Sequence, residues 1–163
     1  MKSTATRALK YLDSVLTAIE IPIVFVCGVG IISVLLYGAI NRYIIHGVFP
    51  QEPELAWLFH MWLVFIGGSL VLRVGDHPFV GIIREKKGKI FKTAIYLACI
   101  SFAGVMLYAL IEFYDTYKLQ KTTFLRLPMT ALYAAMILGF SFIIVRYVMK
   151  IILLYKPVEE GKK

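Results

Sequence analysis

Apolar and polar positions along this chain come in long blocks rather than in the short periods of a soluble fold. Four apolar blocks stand out, at about residues 21–40, 55–72, 93–111 and 127–145. The first two hold 20 and 18 consecutive residues without Lys, Arg, Asp or Glu. At about 1.5 Å per helical residue, blocks of this length match the ~30 Å hydrocarbon layer, so each predicts a membrane-spanning helix. Asn41, Arg42, Gly47 and Pro50 close the first block, and Arg73, Asp76, His77 and Pro78 close the second. Glu112 and Asp115 close the third. Proline suits such boundaries because it lacks an amide donor and clashes with the preceding turn.

Two weaker patterns flank these blocks. Leu9, Leu12, Leu16 and Ile19 recur at helical spacing, which fits a short interfacial helix near residues 5–19 leading into the first span. A second interfacial helix fits residues 78–90, although Lys86 falls on its apolar face and Gly81 and Gly88 weaken it. The tail, about residues 156–163, is expected to be disordered. The expected fold is all-α and integral to the membrane, one domain over residues 1–163 with four transmembrane helices.

Composition agrees. The chain is 60% hydrophobic with a mean hydropathy of +0.77, too apolar for a soluble core of 163 residues. A formal charge of +8 raises nucleic acid as a partner, but the basic residues flank apolar blocks, where they act as topology determinants. Lys2, Arg7 and Lys10 precede the first block as in a secretory signal, yet the block is too long and lacks a small-residue cleavage site. A retained helix is expected. The N-terminal segment, the connector of about residues 73–92 and the residues from 146 onward carry 14 Lys and Arg. The two other loops carry 4. Positive residues accumulate on the inner side, so both termini are expected in the cytoplasm.

In lipid, helices associate through small residues and polar contacts. Ala131, Ala135 and Gly139 form one smooth stripe, and Trp57, His60, Val64, Gly67 and Val71 form a face of the second span. A histidine in hydrocarbon needs a partner, so that face is expected against protein, in this chain or another. Glu112 and Arg126 flank the outer loop between spans three and four, and are expected to pair. Glu20, Arg42, Glu112 and Arg146 sit at span edges, where long side chains reach the headgroups.

Catalytic chemistry does not assemble from this sequence. No charged residue lies near the middle of a span, and no proline interrupts one as in transporter cores. His46, His60 and His77 are the only histidines, and a haem needs two facing ones at similar depth. Cys27 and Cys99 lack metal-ligand spacing and read as small buried side chains. No cofactor, metal or enzymatic activity is expected. From its residues alone the chain reads as a small accessory or scaffold subunit.

The stretch EPELAWLFHMWLVFIGGSLVLRVGDHPFV, residues 52–80, resembles the signature of the small membrane subunit (DctQ type) of tripartite ATP-independent periplasmic (TRAP) transporters. Glu52 and Glu54 match its acidic pair, although Pro53 separates them here where the family often has adjacent acids. Trp57, Trp62 and Phe65 match its aromatic positions, Gly67 and Gly68 its glycine turn, and Arg73, Gly75 and His77 its exit group. The resemblance implies a non-catalytic subunit of the bacterial inner membrane that scaffolds a large elevator-type subunit. That larger subunit would take up a carboxylate with sodium: a C4-dicarboxylate, sialic acid or other sugar acid. A periplasmic binding protein would deliver the solute. On this reading His60, Gly67, Ala131, Ala135 and Gly139 pack on the large subunit. Glu52, Glu54, Lys118 and Lys121 lie near the docked binding protein, and Arg73 and His77 make structural contacts. The alternatives are a membrane anchor of another multi-subunit complex and a small stand-alone oligomeric transporter.

Overall fold

The structure, a computed structural model, describes residues 2–74, 89–117 and 119–155. Its helices are α1 (Lys2–Ile40), α2 (Glu52–Val74), α3 (Lys89–Tyr117) and α4 (Thr130–Tyr155). All four are long and apolar enough to cross a membrane. The protein is therefore all-α and multi-pass, as the hydropathy pattern predicts.

Helix ends depart from the apolar blocks in instructive ways. α1 is one helix of 39 residues, about 58 Å long, so residues 5–19 are not a separate interfacial element. Pro22 lies inside it, although its ring removes the donor that would meet the Ala18 carbonyl. The helix stays continuous through Pro22, and the polar side chains just before it are held by α2 and α4, as described below. α3 begins at Lys89 and α4 ends at Tyr155, each well outside its apolar block. Of the interfacial segment expected at 78–90, only the last two residues are described, and they open α3. The expected disordered tail lies outside the described residues.

At its outer end α1 passes into a π-helical turn, Asn41–Ile45, and stops at His46, whose φ of 55° is left-handed. The Gly47 amide then donates to the Asn41 carbonyl at 3.0 Å. A Cβ on Gly47 would lie 2.7 Å from Asn41 Oδ1, so this reversal favours glycine. α2 starts with Glu52 and Glu54 in its first turn, where carboxylates favour the positive end of the helix dipole.

The helices pack in a row rather than a closed bundle. α2 lies against α1 on one side and α4 on the other, α3 packs on α4, and α1 meets α4 only marginally. The α2–α4 seam brings two backbones together. A Cβ on Gly139 would sit 2.6 Å from Phe65 Cβ and 2.7 Å from its carbonyl oxygen, so the two backbones touch. Ala135 is fully buried. Gly139 thus packs on the chain's own α2 and Ala135 is buried within the chain, so neither is free for a separate subunit, and Ala131 is half-buried. Tyr147 of α4 and Tyr96 of α3 pack with ring centroids 5.6 Å apart, and Leu72 of α2 joins their buried cluster. In the α1–α2 seam Gly28 and Gly30 admit Leu63 and Phe59. Both cysteines are free, Cys27 buried and Cys99 half-buried.

Candidate functional site

Asp13, Thr17 and Glu20 recur at intervals of four and three along α1, so they share one helical face. That face turns inward at the cytoplasmic end of the row. Glu20 and Ser69 are fully buried, and Arg146 is 2% exposed. Arg146 Nε donates to Ser69 Oγ at 3.0 Å and its Nη1 to Asp13 Oδ1 at 2.8 Å. Its Nη2 donates to Thr17 Oγ1 at 3.3 Å and to Glu20 Oε2. Ser69 Oγ in turn donates to Glu20 Oε1 at 2.6 Å. Arg73 Nε donates to Asp13 Oδ2 at 3.2 Å, and Thr17 Oγ1 to the Asp13 carbonyl at 2.7 Å.

This cluster joins α1, α2 and α4 through one guanidinium. Two arginines face two carboxylates, so the group is neutral. Among the described residues no buried side-chain nitrogen or oxygen lacks a partner. Isolated charges are costly in a low dielectric, and pairing with full hydrogen bonding is what makes such burial tolerable. The expectation that Glu20 and Arg146 reach the headgroups is therefore overturned. α4 runs ten residues beyond its apolar block, which brings Arg146 inside the row at the level of Glu20. Ser69, next to the Gly67–Gly68 pair, is the hydroxyl that relays between these two ions. The missed signal was the polar stripe of α1, which shares the helical period of the apolar one.

A second clamp holds the outer end. Glu54 accepts the amides of Phe124 and Leu125 at 2.9 and 2.8 Å, so the entrance of α2 pins the loop between α3 and α4. Within that loop the Thr122 amide donates to the Leu127 carbonyl at 2.9 Å, and the Leu127 amide to Thr122 Oγ1 at 3.0 Å. Arg126 adopts a left-handed φ of 52°. Glu52 pairs with Arg42 at 3.3 Å across the α1–α2 turn. Glu112 and Arg126 do not pair, whereas Arg42, Arg73 and Arg146 each meet a carboxylate. α3 continues five residues past Glu112 to Tyr117, which leaves that carboxylate below the loop carrying Arg126.

The open face of α2 differs by one position from the one expected. Trp57, Val64 and Val71 are 41%, 45% and 50% exposed, and His60 is exposed with them. Gly67 turns toward Val24 of α1, 3.8 Å from a Cβ placed there. Gly68 occupies the stripe instead, and among the described residues no atom lies within 4 Å of its Cβ position. Trp62 is half-buried and Lys121 exposed. Gly75, His77 and Lys118 lie outside the described residues. Among the described residues no three His, Cys, Asp or Glu side chains converge as a metal site.

A family model described as "Tripartite ATP-independent periplasmic transporters, DctQ component" matches residues 31–156. No curated protein and no solved structure matches the chain.

Proposed function

The chain belongs to the DctQ component family of tripartite ATP-independent periplasmic transporters, and from that premise we propose that it is the stationary, non-catalytic scaffold of such a transporter. Its family makes it a small transporter subunit of the inner membrane. The role within the assembly is our reading. The chain packs through the open face of α2 onto a large membrane subunit that carries the moving, substrate-binding part. That subunit takes up a carboxylate, a C4-dicarboxylate or a sugar acid such as sialic acid, with sodium. A periplasmic binding protein delivers the solute and docks beside the outer loop that Glu54 holds, near Lys121.

One observation carries this reading: three helices are locked together at the inner end while the stripe Trp57, His60, Val64, Gly68 and Val71 faces away from the chain. An elevator moves one domain against another across the bilayer, and the fixed side must not deform. Ionic and glycine-mediated seams supply that stiffness. His60, about 12 Å along α2 from its outer end, is a polar group on an apolar stripe, which suits a hydrogen-bonding partner on another subunit.

Gly68→Leu tests the placement. Space is open at this Cβ, so the variant chain should keep wild-type thermal stability in detergent. Against a closely packed partner the added side chain should abolish co-purification with the large subunit and stop uptake. A Gly68→Leu chain that assembles and transports normally refutes the docking face. Solute movement by the purified chain alone in liposomes refutes the scaffold role itself.

A further inference from the structure

Beside the Arg146 cluster, where α1, α2 and α4 meet, lies a cavity of about 390 Å³. Lys10, Arg73, Arg146 and Lys150 line it, with Asp13 as the facing carboxylate. Glu20, behind Arg146, neutralises one more of these cations. Asp13 and Glu20 balance Arg73 and Arg146, Lys150 makes a further contact of its own, and Lys10 adds a positive charge at the mouth of the cavity. Ser14, Leu9, Leu72, Met149 and Leu153 form the remaining wall; Leu72 and Met149 are buried, and Leu153 is exposed on the outer surface of α4. Arg146 stands at the back of the cavity with all three guanidinium nitrogens bonded to its partners, so its charge is fixed in place, while Arg73 keeps both terminal nitrogens beyond its Nε bond to Asp13. The Lys and Arg bias places this end of the row in the cytoplasmic leaflet.

We propose that this cavity binds a phosphate-bearing anion, supplied in the membrane by the head group of an anionic phospholipid of the inner leaflet. Cationic recesses between transmembrane helices on the cytoplasmic side suit such head groups. The terminal nitrogens of Arg73 meet the phosphate, Lys10 and Lys150 cover it, Arg146 backs the cavity with its fixed charge, and the acyl chains descend along Leu9 and Leu153. A lipid seated there bridges the same three helices as the Arg146 cluster, and so adds to the stiffness of the row. The site depends on this chain's own residues and not on which partner the open face of α2 meets.

The test uses the full-length chain purified in mild detergent and stripped of lipid. Native mass spectrometry and thermal unfolding are followed while phosphatidylglycerol, phosphatidylcholine or inorganic phosphate is added. Phosphatidylglycerol should be retained and should raise the midpoint, and phosphatidylcholine should do neither. Each cation near the surface is worth about a factor of five in affinity, so Lys10→Ala with Lys150→Ala should weaken retention roughly 25-fold. Lys150 makes a further contact of its own, so Lys10→Glu is measured separately and should also release the lipid. Lys10→Arg should preserve binding, and Lys121→Ala on the outer loop should leave it unchanged. Equal stabilisation by inorganic phosphate overturns the lipid as the source. Lipid retention that ignores both Lys10→Glu and the double variant overturns the site.

Discussion

Replacing Arg146 by methionine keeps an unbranched side chain in the row and removes its charge. Four side-chain hydrogen bonds disappear, two to hydroxyls and two to carboxylates. Side-chain bonds between neighbouring transmembrane helices are worth about 0.6 kcal/mol on average and roughly twice that with an ionised donor, so Ser69 and Thr17 together account for roughly 2 kcal/mol. The carboxylates dominate, and they are unequal. Asp13 has a side chain 32% exposed and keeps Arg73, so water and the remaining arginine screen its loss. Glu20 is fully buried and keeps only Ser69. Leaving one such ion without its counter-charge costs about 3–5 kcal/mol, and that range is the expectation for Arg146→Met. Removing Glu20 as well, in Glu20→Leu with Arg146→Met, should recover most of the loss, because replacing a buried ion pair by apolar groups is often neutral. The assay is reversible unfolding of the full-length chain in mixed micelles by SDS titration, followed by circular dichroism, across the four corners of the double-mutant cycle. If Arg146→Met costs under about 1 kcal/mol, or the two changes add to within roughly 0.5 kcal/mol, the ionic cluster does not stabilise the row as argued.

Other substitutions probe the remaining seams. Gly139→Leu must push Phe65 and its backbone aside, and should destabilise the chain by about 1–3 kcal/mol in the same titration, while Gly68→Leu should not. Gly38→Ala would place a methyl group in the space of the Glu52 carboxylate, so it should break the Arg42–Glu52 pair. That surface pair is worth about 0–1 kcal/mol, so the variant should unfold within that margin of wild type. Glu54→Ala removes the acceptor of two loop amides, and hydrogen exchange at Phe124 and Leu125 should accelerate while exchange in mid-α2 stays unchanged. Glu54→Gln keeps one acceptor oxygen and should fall between the two.

Hydropathy and punctuation in the sequence were enough to determine the class, the number of spans and their approximate limits, because a bilayer imposes one length on every apolar helix. The resemblance carried by Glu52 to His77 led to the family, and the matching of residues 31–156 agrees with it. The same stretch was silent on which side chains within the chain its residues would meet. Glu54 was legible as an acid at a helix entrance, but its bonds to Phe124 and Leu125 join residues some 70 positions apart, and nothing local encodes that meeting.

Glu20 and Arg146 mark the boundary most clearly. A charge near the end of an apolar block contributes the same hydropathy whether it reaches the headgroups or meets a counter-charge inside the protein. Which of these happens depends on the rotation of each helix and on its neighbours, and so does the order α1, α2, α4, α3. The small-residue stripe of α4 could be recognised as a packing surface, yet only the fold gave its Gly139 to Phe65 rather than to another subunit. Membrane helices share one apolar solvent and one length. Their sequence therefore says where they cross, and packing in three dimensions alone decides which faces they spend on each other and which they leave open.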